Sequence, residues 1–123
     1  GETGPYLQYA HARIRSILAR SGGEASAGNM ARYTLPSNEE GRLARELLAF
    51  SDAVDAAASE LAPHRICKQL HRISQAFGSF YEHCPVLIED PSLRVERISL
   101  CTLTGDILQA GLELLGIDAP SRM

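Results

Sequence analysis

Tryptophan is absent from the 123 residues, and no apolar run is long enough to cross a membrane, since a spanning helix needs roughly 20 apolar residues. The first residues, Gly1 to Pro5, also lack the basic, apolar and small-residue order of a signal peptide. These absences argue against a membrane protein and against a secretory leader. We therefore expect a soluble chain.

Positive charge is scarce as well. The chain has 12 Lys and Arg against 15 Asp and Glu, a formal net charge of −3. Domains that hold nucleic acid by bulk electrostatics are usually strongly basic. Any contact with RNA must therefore be local.

Cysteine is limited to Cys67, Cys84 and Cys101, an odd number at irregular spacing. This pattern predicts free thiols in a reducing compartment, and so a cytoplasmic protein. His71 and His83 lie close in sequence to the first two cysteines, but their spacing is wrong for a compact zinc site. We predict that Cys67 and Cys101 are small core residues, that these histidines lie at the surface and that no metal is bound.

Catalytic signatures are missing too: there is no GxSxG, no phosphate-cradling glycine loop, no HExxH and no Rossmann fingerprint. We predict no catalytic residue. A hydrophobic content of 45% suffices for one domain over residues 1–123. Because the chain starts without Met, we expect a piece of a longer protein, with Met123 as a native terminus.

What the sequence does contain is helical periodicity, and the pattern of the first half predicts two helices. The first follows Pro5 and ends near Arg20, before a mobile loop over 21–36. The second runs from about 38 to 61 behind the capping-box pair Ser37 and Glu40. Its expected core stripe is Leu43, Leu47, Phe50, Val54, Ala57 and Leu61.

Two further helices are predicted in the second half. The third starts at Pro63 and ends before Pro85, and an apolar linker over 84–91 follows it. The fourth is capped by Ser92 and ends at Gly116. Its expected core stripe is Val95, Ile98, Cys101, Leu108, Leu112 and Leu115, with Gly105 and Gly111 as close helix contacts or a bend. The fold class is therefore all-α, a helix bundle of about four main helices.

Basic side chains recur at helical spacing on the third predicted helix, where Arg65, Lys68 and Arg72 form a positive stripe. We call these three residues the basic stripe. Arg13 and Arg20 form a second stripe, one heptad apart, on the first. A solvated helix face is the commoner explanation of such stripes, and contact with phosphate is the alternative.

Tyr6, Tyr9 and Arg13 follow one ridge at the start of the first helix. Aromatic rings and a guanidinium in this arrangement can stack unpaired bases, at about 1–3 kcal/mol per base. Alternatively, both tyrosines pack on the bundle with their hydroxyls at its rim. The spacing alone leaves both interpretations open.

The run from Gly4 to Arg13, GPYLQYAHAR, resembles the segment that leads into the DALR-type anticodon-binding domain of arginyl-tRNA synthetases. Similar agreement recurs in order along nearly the whole chain, at residues 63–65, 77, 80–81, 84–86, 114–117, 119–120 and 122–123. Two places depart from the family pattern: residues 69–74, where relatives have an aromatic-rich run, and Ser121, where glutamate is common.

The resemblance implies a helical domain that binds the anticodon loop of the arginine tRNA. Tyr6, Tyr9 and Arg13 would lie beside the loop, and a turn over residues 2–4 would touch its backbone. Tyr81 would supply another stacking surface, and Met123 would close the pocket. Arg65, Lys68 and Arg72 are secondary candidates for phosphate contact.

The resemblance also implies a catalytic domain upstream, in which ATP, Mg and arginine are bound and the tRNA is charged. The anticodon-binding domain would itself bind no cofactor. Its partners would be the tRNA and the enzyme's own catalytic domain, in a monomer. One alternative is that this polypeptide charges the tRNA itself. Another is a separate helical paralogue that binds protein through the basic stripe or the 84–91 linker.

Overall fold

The computed structural model describes residues 3–22 and 32–123. Five helices follow one another within these ranges, and the ranges contain no β-strand. The helices are α1 (Thr3–Arg20), α2 (Asn38–Leu48), α3 (Phe50–Glu60), α4 (His64–His83) and α5 (Pro91–Leu114). The all-α prediction is confirmed, with α2 and α3 together occupying the second predicted helix. Most of the predicted 21–36 loop, residues 23–31, lies outside the described residues.

Helix α4 is central, because it packs against each of the other four helices. Helices α2 and α3 lie against it on one side, and α1 pairs mainly with α5. The core holds apolar side chains from the inner faces of α1, α2, α4 and α5, including the fully buried Leu7, Leu43, Leu70, Ile73, Phe80, Leu108 and Leu112. Leu43, Leu108 and Leu112 are among the core residues predicted from the sequence. Burial of these apolar surfaces is the main source of stability.

Helix α1 begins at Thr3, before Pro5, so the helix start predicted at Pro5 is wrong. Thr3 and Gly4 are helical and form no turn, whereas Glu2 lies outside the described residues. Proline is compatible with the first turn of a helix, because the amide hydrogens there have no partner within the helix.

The second predicted helix is interrupted at Ala49, where the backbone has φ −75° and ψ −9°. Its start is as predicted, with the Ser37 hydroxyl accepting a hydrogen bond from the backbone N–H of Glu40 at 3.1 Å. Its end differs, because Leu61 adopts a left-handed conformation at φ 51° and is 89% exposed. Leu61 is therefore not a core residue.

Helix α5 is capped by Asp90 and not by Ser92 as predicted. The Asp90 carboxylate accepts hydrogen bonds from the N–H groups of Ser92 and Leu93 at 3.0 and 3.1 Å, and Pro91 occupies the first helical position. Val95, predicted in the core, is 56% exposed. The buried side of α5 instead includes Arg97, which donates to the fully buried Glu40 of α2 at 3.2 Å.

Gly116 ends α5 as predicted and reverses the chain. It has φ 72°, a conformation that residues with a side chain rarely adopt. The N–H of Ile117 donates to the carbonyl of Leu112 at 2.8 Å, and that of Gly116 to Glu113 at 3.0 Å, which together form a Schellman motif. This turn sends residues 117–123, the C-terminal tail, back to α1.

Candidate functional site

The exposed face of α1 carries the predicted aromatic and basic side chains. Leu7 and Ile14 on its inner face are buried and hold the helix against the bundle. Tyr9 is 64% exposed. Arg13 and Arg20 follow it after four and eleven residues, which places all three on one side of the helix. The interpretation of Tyr9 as a tyrosine packed into the bundle is wrong.

The C-terminal tail meets this face of α1 and encloses a groove of about 310 Å³. We call it the tail groove. Its lining residues are Tyr9, Ala12, Arg13, Ser16 and Arg20 of α1 with Ser121, Arg122 and Met123 of the tail. Three arginines therefore surround one small groove in a chain whose net charge is −3. The Met123 side chain is 67% exposed at its edge.

Tyr81 of α4 is linked to the same face through Arg13. The guanidinium carbon of Arg13 lies 5.3 Å from the centre of the Tyr81 ring, at cation–π distance. The buried Phe77 stacks with Tyr81 at a centroid distance of 6.0 Å and an interplanar angle of 12°. A base that stacked on Tyr81 would therefore compete with Arg13 for the ring.

A second groove, of about 680 Å³, lies between α1 and α4 on the other side of Tyr9 and Arg13. Tyr6 lines this groove and not the tail groove. Its ring is 45% exposed and contacts the imidazole of His71, with centroids 5.1 Å apart. The predicted ridge is therefore divided, with Tyr9 and Arg13 shared by both grooves.

Arg20 and Tyr81 also line a third cavity, of about 450 Å³, together with Leu87 of the 84–91 linker. Leu87 is 61% exposed, whereas Val86 beside it is buried. The linker thus turns one apolar side chain inward and presents the next at the end of the α1 face.

Two α1 side chains that were not predicted as site residues fix the tail in place. The Gln8 side-chain amide donates to the backbone carbonyl of Asp118 at 2.9 Å. Nδ1 of His11 lies 2.9 Å from the carbonyl oxygen of Pro120. Both residues flank Tyr9 in the GPYLQYAHAR run. A sequence signal for His11 was available, since it lies one turn after Leu7 on the buried side of α1.

The basic stripe lies elsewhere. Arg65, Lys68 and Arg72 line a groove of about 310 Å³ between α3 and α4, together with Asp52. Arg72 precedes Tyr81 by nine residues, or about two and a half helical turns, which places them on opposite sides of α4. Arg65 is also paired with Glu60 at 2.6 Å. Acidic side chains thus offset part of this stripe.

No group of three or more His, Cys, Asp or Glu side chains in residues 3–22 and 32–123 could hold a metal ion. Cys67 is half-buried, and Cys84 and Cys101 are buried, all as free thiols. Within the same ranges, no helix is long and apolar enough to cross a membrane.

The arrangement of the five helices is similar to one part of several solved arginyl-tRNA synthetases. The Thermus thermophilus enzyme matches with a TM-score of 0.84 and 40% identity, over 100% of this chain and 21% of that chain. The Plasmodium falciparum enzyme matches with a TM-score of 0.79 and 27% identity, over 100% of this chain and 22% of that chain. The fold is thus that of a helical domain within such enzymes.

The family is shown by the sequence itself. The model of the DALR anticodon binding domain matches residues 7–123, and the chain belongs to this family. Among its relatives, an arginine–tRNA ligase of Frankia casuarinae is 49% identical over the whole of this chain. One of Cutibacterium acnes is 41% identical. The chain spans about a fifth of the length of these relatives, 21% and 24%.

Proposed function

We propose that this chain binds the anticodon loop of the arginine tRNA as the C-terminal domain of an arginyl-tRNA synthetase, residues 1–123 forming one domain. The observation that carries the proposal is the tail groove, in which Tyr9, Arg13 and Arg20 of α1 meet Met123 of the tail. An exposed ring that shares a groove with arginines suits the recognition of unpaired bases, which proteins bind by stacking and by hydrogen bonds to base edges.

In this proposal Tyr9 stacks on a base in the tail groove, and Arg13 holds the phosphate or base edge beside it. Tyr6 faces the second groove, where a neighbouring base of a splayed loop is within reach of its ring. Tyr81 orients Arg13 through the cation–π contact, and Met123 covers the opposite edge of the tail groove. Apolar and aromatic contacts of this kind allow an acidic chain to bind RNA locally.

The basic stripe is a secondary part of the proposal. Arg65, Lys68 and Arg72 lie in a separate groove, so we assign them to the phosphates of the anticodon stem and not to the loop bases. Phosphate contacts position an RNA without reading its sequence. The pairing of Arg65 with Glu60 reduces the charge that the stripe can offer.

The direct test is a titration of the 123-residue chain with an arginine anticodon stem-loop. Loss of one stacked ring costs about 1–3 kcal/mol, so Tyr9→Ala should weaken binding by roughly 5- to 150-fold. Leu48→Ala is the matched control, because Leu48 is 66% exposed on α2 and lines none of the four grooves. Equal affinity for cognate and noncognate loops would refute the proposal.

The activity of the whole protein is a further proposal, that of an ATP-dependent arginine–tRNA ligase. The relatives of Frankia casuarinae and Cutibacterium acnes are named arginine–tRNA ligases. ATP, Mg and arginine would bind in a catalytic domain that lies outside these 123 residues. In a monomeric, cytoplasmic enzyme, that catalytic domain would be the intramolecular partner of the anticodon-binding domain. An arginine-dependent ATP–pyrophosphate exchange assay on the 123-residue chain should give no turnover.

A protein-binding paralogue is not favoured. Relatives that match the whole length of this chain are arginine–tRNA ligases.

A further inference from the structure

His11 is buried, at 2% exposure, between the C-terminal tail and Arg15. Its Nδ1 lies 2.9 Å from the carbonyl oxygen of Pro120. Its Nε2 accepts a hydrogen bond from Nε of Arg15 at 3.3 Å. Arg15 is itself held from α5, where its guanidinium donates to Asp106 at 2.9 Å and to Gln109 at 3.1 Å. The ring is thus fixed from both sides.

These partners determine where the imidazole proton lies. A carbonyl oxygen only accepts hydrogen bonds, so Nδ1 must carry the proton that is donated to Pro120. A guanidinium only donates, so Nε2 must keep its lone pair for Arg15. Both conditions are met by one species, the neutral imidazole with its proton on Nδ1. The protonated ring would direct a second N–H at Arg15.

The bond to Pro120 lies close to the end of the tail. Within the described residues, two hydrogen bonds from α1 side chains to the tail are seen, that of Gln8 to Asp118 and that of His11 to Pro120. The bond of Gln8 is exposed, whereas the other is partly buried. Met123 follows Pro120 by three residues and forms the far edge of the tail groove.

We propose that His11, as a neutral imidazole, is the positioning residue of the C-terminal tail and thereby holds Met123 against the groove beside Tyr9. The proposal rests on the proposed function, since it assigns the tail groove to RNA. His11 lines none of the four grooves. It acts through the backbone of Pro120.

Protonation should weaken this arrangement. Burial lowers the pKa of His11 below its usual value, and the charge of Arg15 acts in the same direction, whereas the hydrogen bond to Pro120 and the charge of Asp106 oppose this. Arg15 of α1 and Asp106 of α5 are the charged groups that face the ring. The tail should therefore be ordered at neutral pH and lose order only when the pH falls below about 6.5.

The first experiment needs no variant. The imidazole ¹⁵N shifts of the 123-residue chain report the tautomer of each histidine, and a methyl-labelled methionine spectrum reports the order of Met123. We expect the Nδ1–H form for His11 at pH 7.5. We also expect the Met123 methyl signal to sharpen and move toward its free-peptide shift as His11 becomes protonated. An Nε2–H tautomer would overturn the proposal.

A pair of substitutions separates positioning from packing. In His11→Asn the side-chain amide nitrogen takes the place of Nδ1 and can still donate to Pro120, whereas in His11→Gln the amide lies nearer the place of Nε2. We expect an ordered Met123 methyl in His11→Asn and a mobile one in His11→Gln. Asparagine leaves the larger void, so a merely structural role predicts the opposite order. That order would contradict the proposal.

Titration with the arginine anticodon stem-loop then tests the positioning role of His11 together with the proposed RNA binding. His11→Gln should bind roughly tenfold more weakly than the wild-type chain, the loss expected for one hydrogen bond that orders a binding edge, and His11→Asn should restore most of the affinity. If the wild-type chain binds RNA and His11→Gln binds equally well, the positioning role fails. If the wild-type chain binds no RNA, the proposed function fails, and the methyl spectra alone decide the role of His11.

Discussion

The three cysteines occupy three different environments, although Cys67 and Cys101 were both predicted as small core residues. Cys67 on α4 is half-buried. Cys84, after α4, is buried, which raises the pKa of its thiol, while its contact with the Ser37 hydroxyl at 3.3 Å opposes this. Cys101 in the middle of α5 is fully buried, and burial raises the pKa of its thiol to about 12. Reactivity should follow these differences, because the thiolate is the nucleophile.

Alkylation of the folded chain with iodoacetamide at pH 8 should therefore modify Cys67 first and Cys101 last, with peptide mass spectrometry as the measurement. Modification of Cys101 as fast as Cys67 under native conditions would contradict the assignment.

Burial of Cys101 also makes the free energy of unfolding depend on pH. The Cys101 thiol keeps its proton in the folded state up to about pH 12 and loses it above about 9 when unfolded. Its contribution to stability is thus present below pH 9 and lost as the pH rises toward 12.

At the residue scale, the sequence could predict the ridge of side chains on α1 but not their partners. Tyr9 and Arg13 lie on the solvent side of α1 because Leu7 and Ile14 take the inner side, whereas spacing alone left open whether Tyr9 packs on the bundle. The contact of Arg13 with Tyr81 joins two helices through residues that are 68 positions apart in the sequence, and spacing cannot show it. The family resemblance indicated Tyr81 and Met123. The helical pattern indicated burial of His11, one turn after Leu7, but not its contact with the tail.

At the scale of the helices, the close contact between α4 and α5 depends on the absence of a side chain at Gly111. A Cβ atom at Gly111 would lie 2.5 Å from a methyl carbon of Leu70, closer than real Cβ atoms approach their neighbours. The prediction of a close helix contact at Gly111 is confirmed. Gly105 has a similar place against α1, where a Cβ atom would lie 3.2 Å from Ile14.

Gly111→Ala should consequently lower the free energy of unfolding by about 1–3 kcal/mol, since overpacking outweighs the better helix propensity of alanine. Gly78→Ala in α4 is the matched control. A Cβ atom there has no neighbour within 4 Å, so this change should stabilise the chain by about 0.5–1 kcal/mol. Urea denaturation followed by circular dichroism measures both. Stabilisation by Gly111→Ala would show that α4 and α5 are farther apart than described.

Element boundaries were predictable where a residue type enforces them. Gly116 ends α5 because the turn needs a positive φ, and Ser37 begins α2 because its hydroxyl accepts from the backbone. The interruption at Ala49 has no such signal, since one altered ψ angle changes the helix direction while the apolar spacing continues. Asp90 directly before Pro91 is also a signal for the start of a helix, and it places the cap of α5 two residues before the predicted Ser92.

For the molecule as a whole, the distribution of charge matters more than its sum. The net charge is −3, yet Arg13, Arg20 and Arg122 surround the tail groove. A ligand in this groove meets a positive surface of only a few residues. Association should therefore depend on salt, but much less than it does for a basic RNA-binding domain.

A short single-stranded RNA with the arginine anticodon loop sequence tests this, because it lacks the stem. With three phosphate contacts, the slope of log K against log salt should be about −2. Arg20→Gln should reduce the slope by about 0.7, and Lys68→Gln, in the separate groove of α3 and α4, should leave it unchanged. A wild-type slope of roughly −5 would indicate a broad electrostatic surface instead.

The reversal at Gly116 has a consequence for the order in which this domain is completed. Because α1 and α5 already pack together in the core, docking of the tail requires only the ordering of residues 117–123, which the side chains of Gln8 and His11 bind through backbone carbonyls. Helices and core can therefore form before the tail docks, and they can persist after it is released. We expect the groove assigned to RNA to be among the last parts to assemble during folding and the first to be lost on heating.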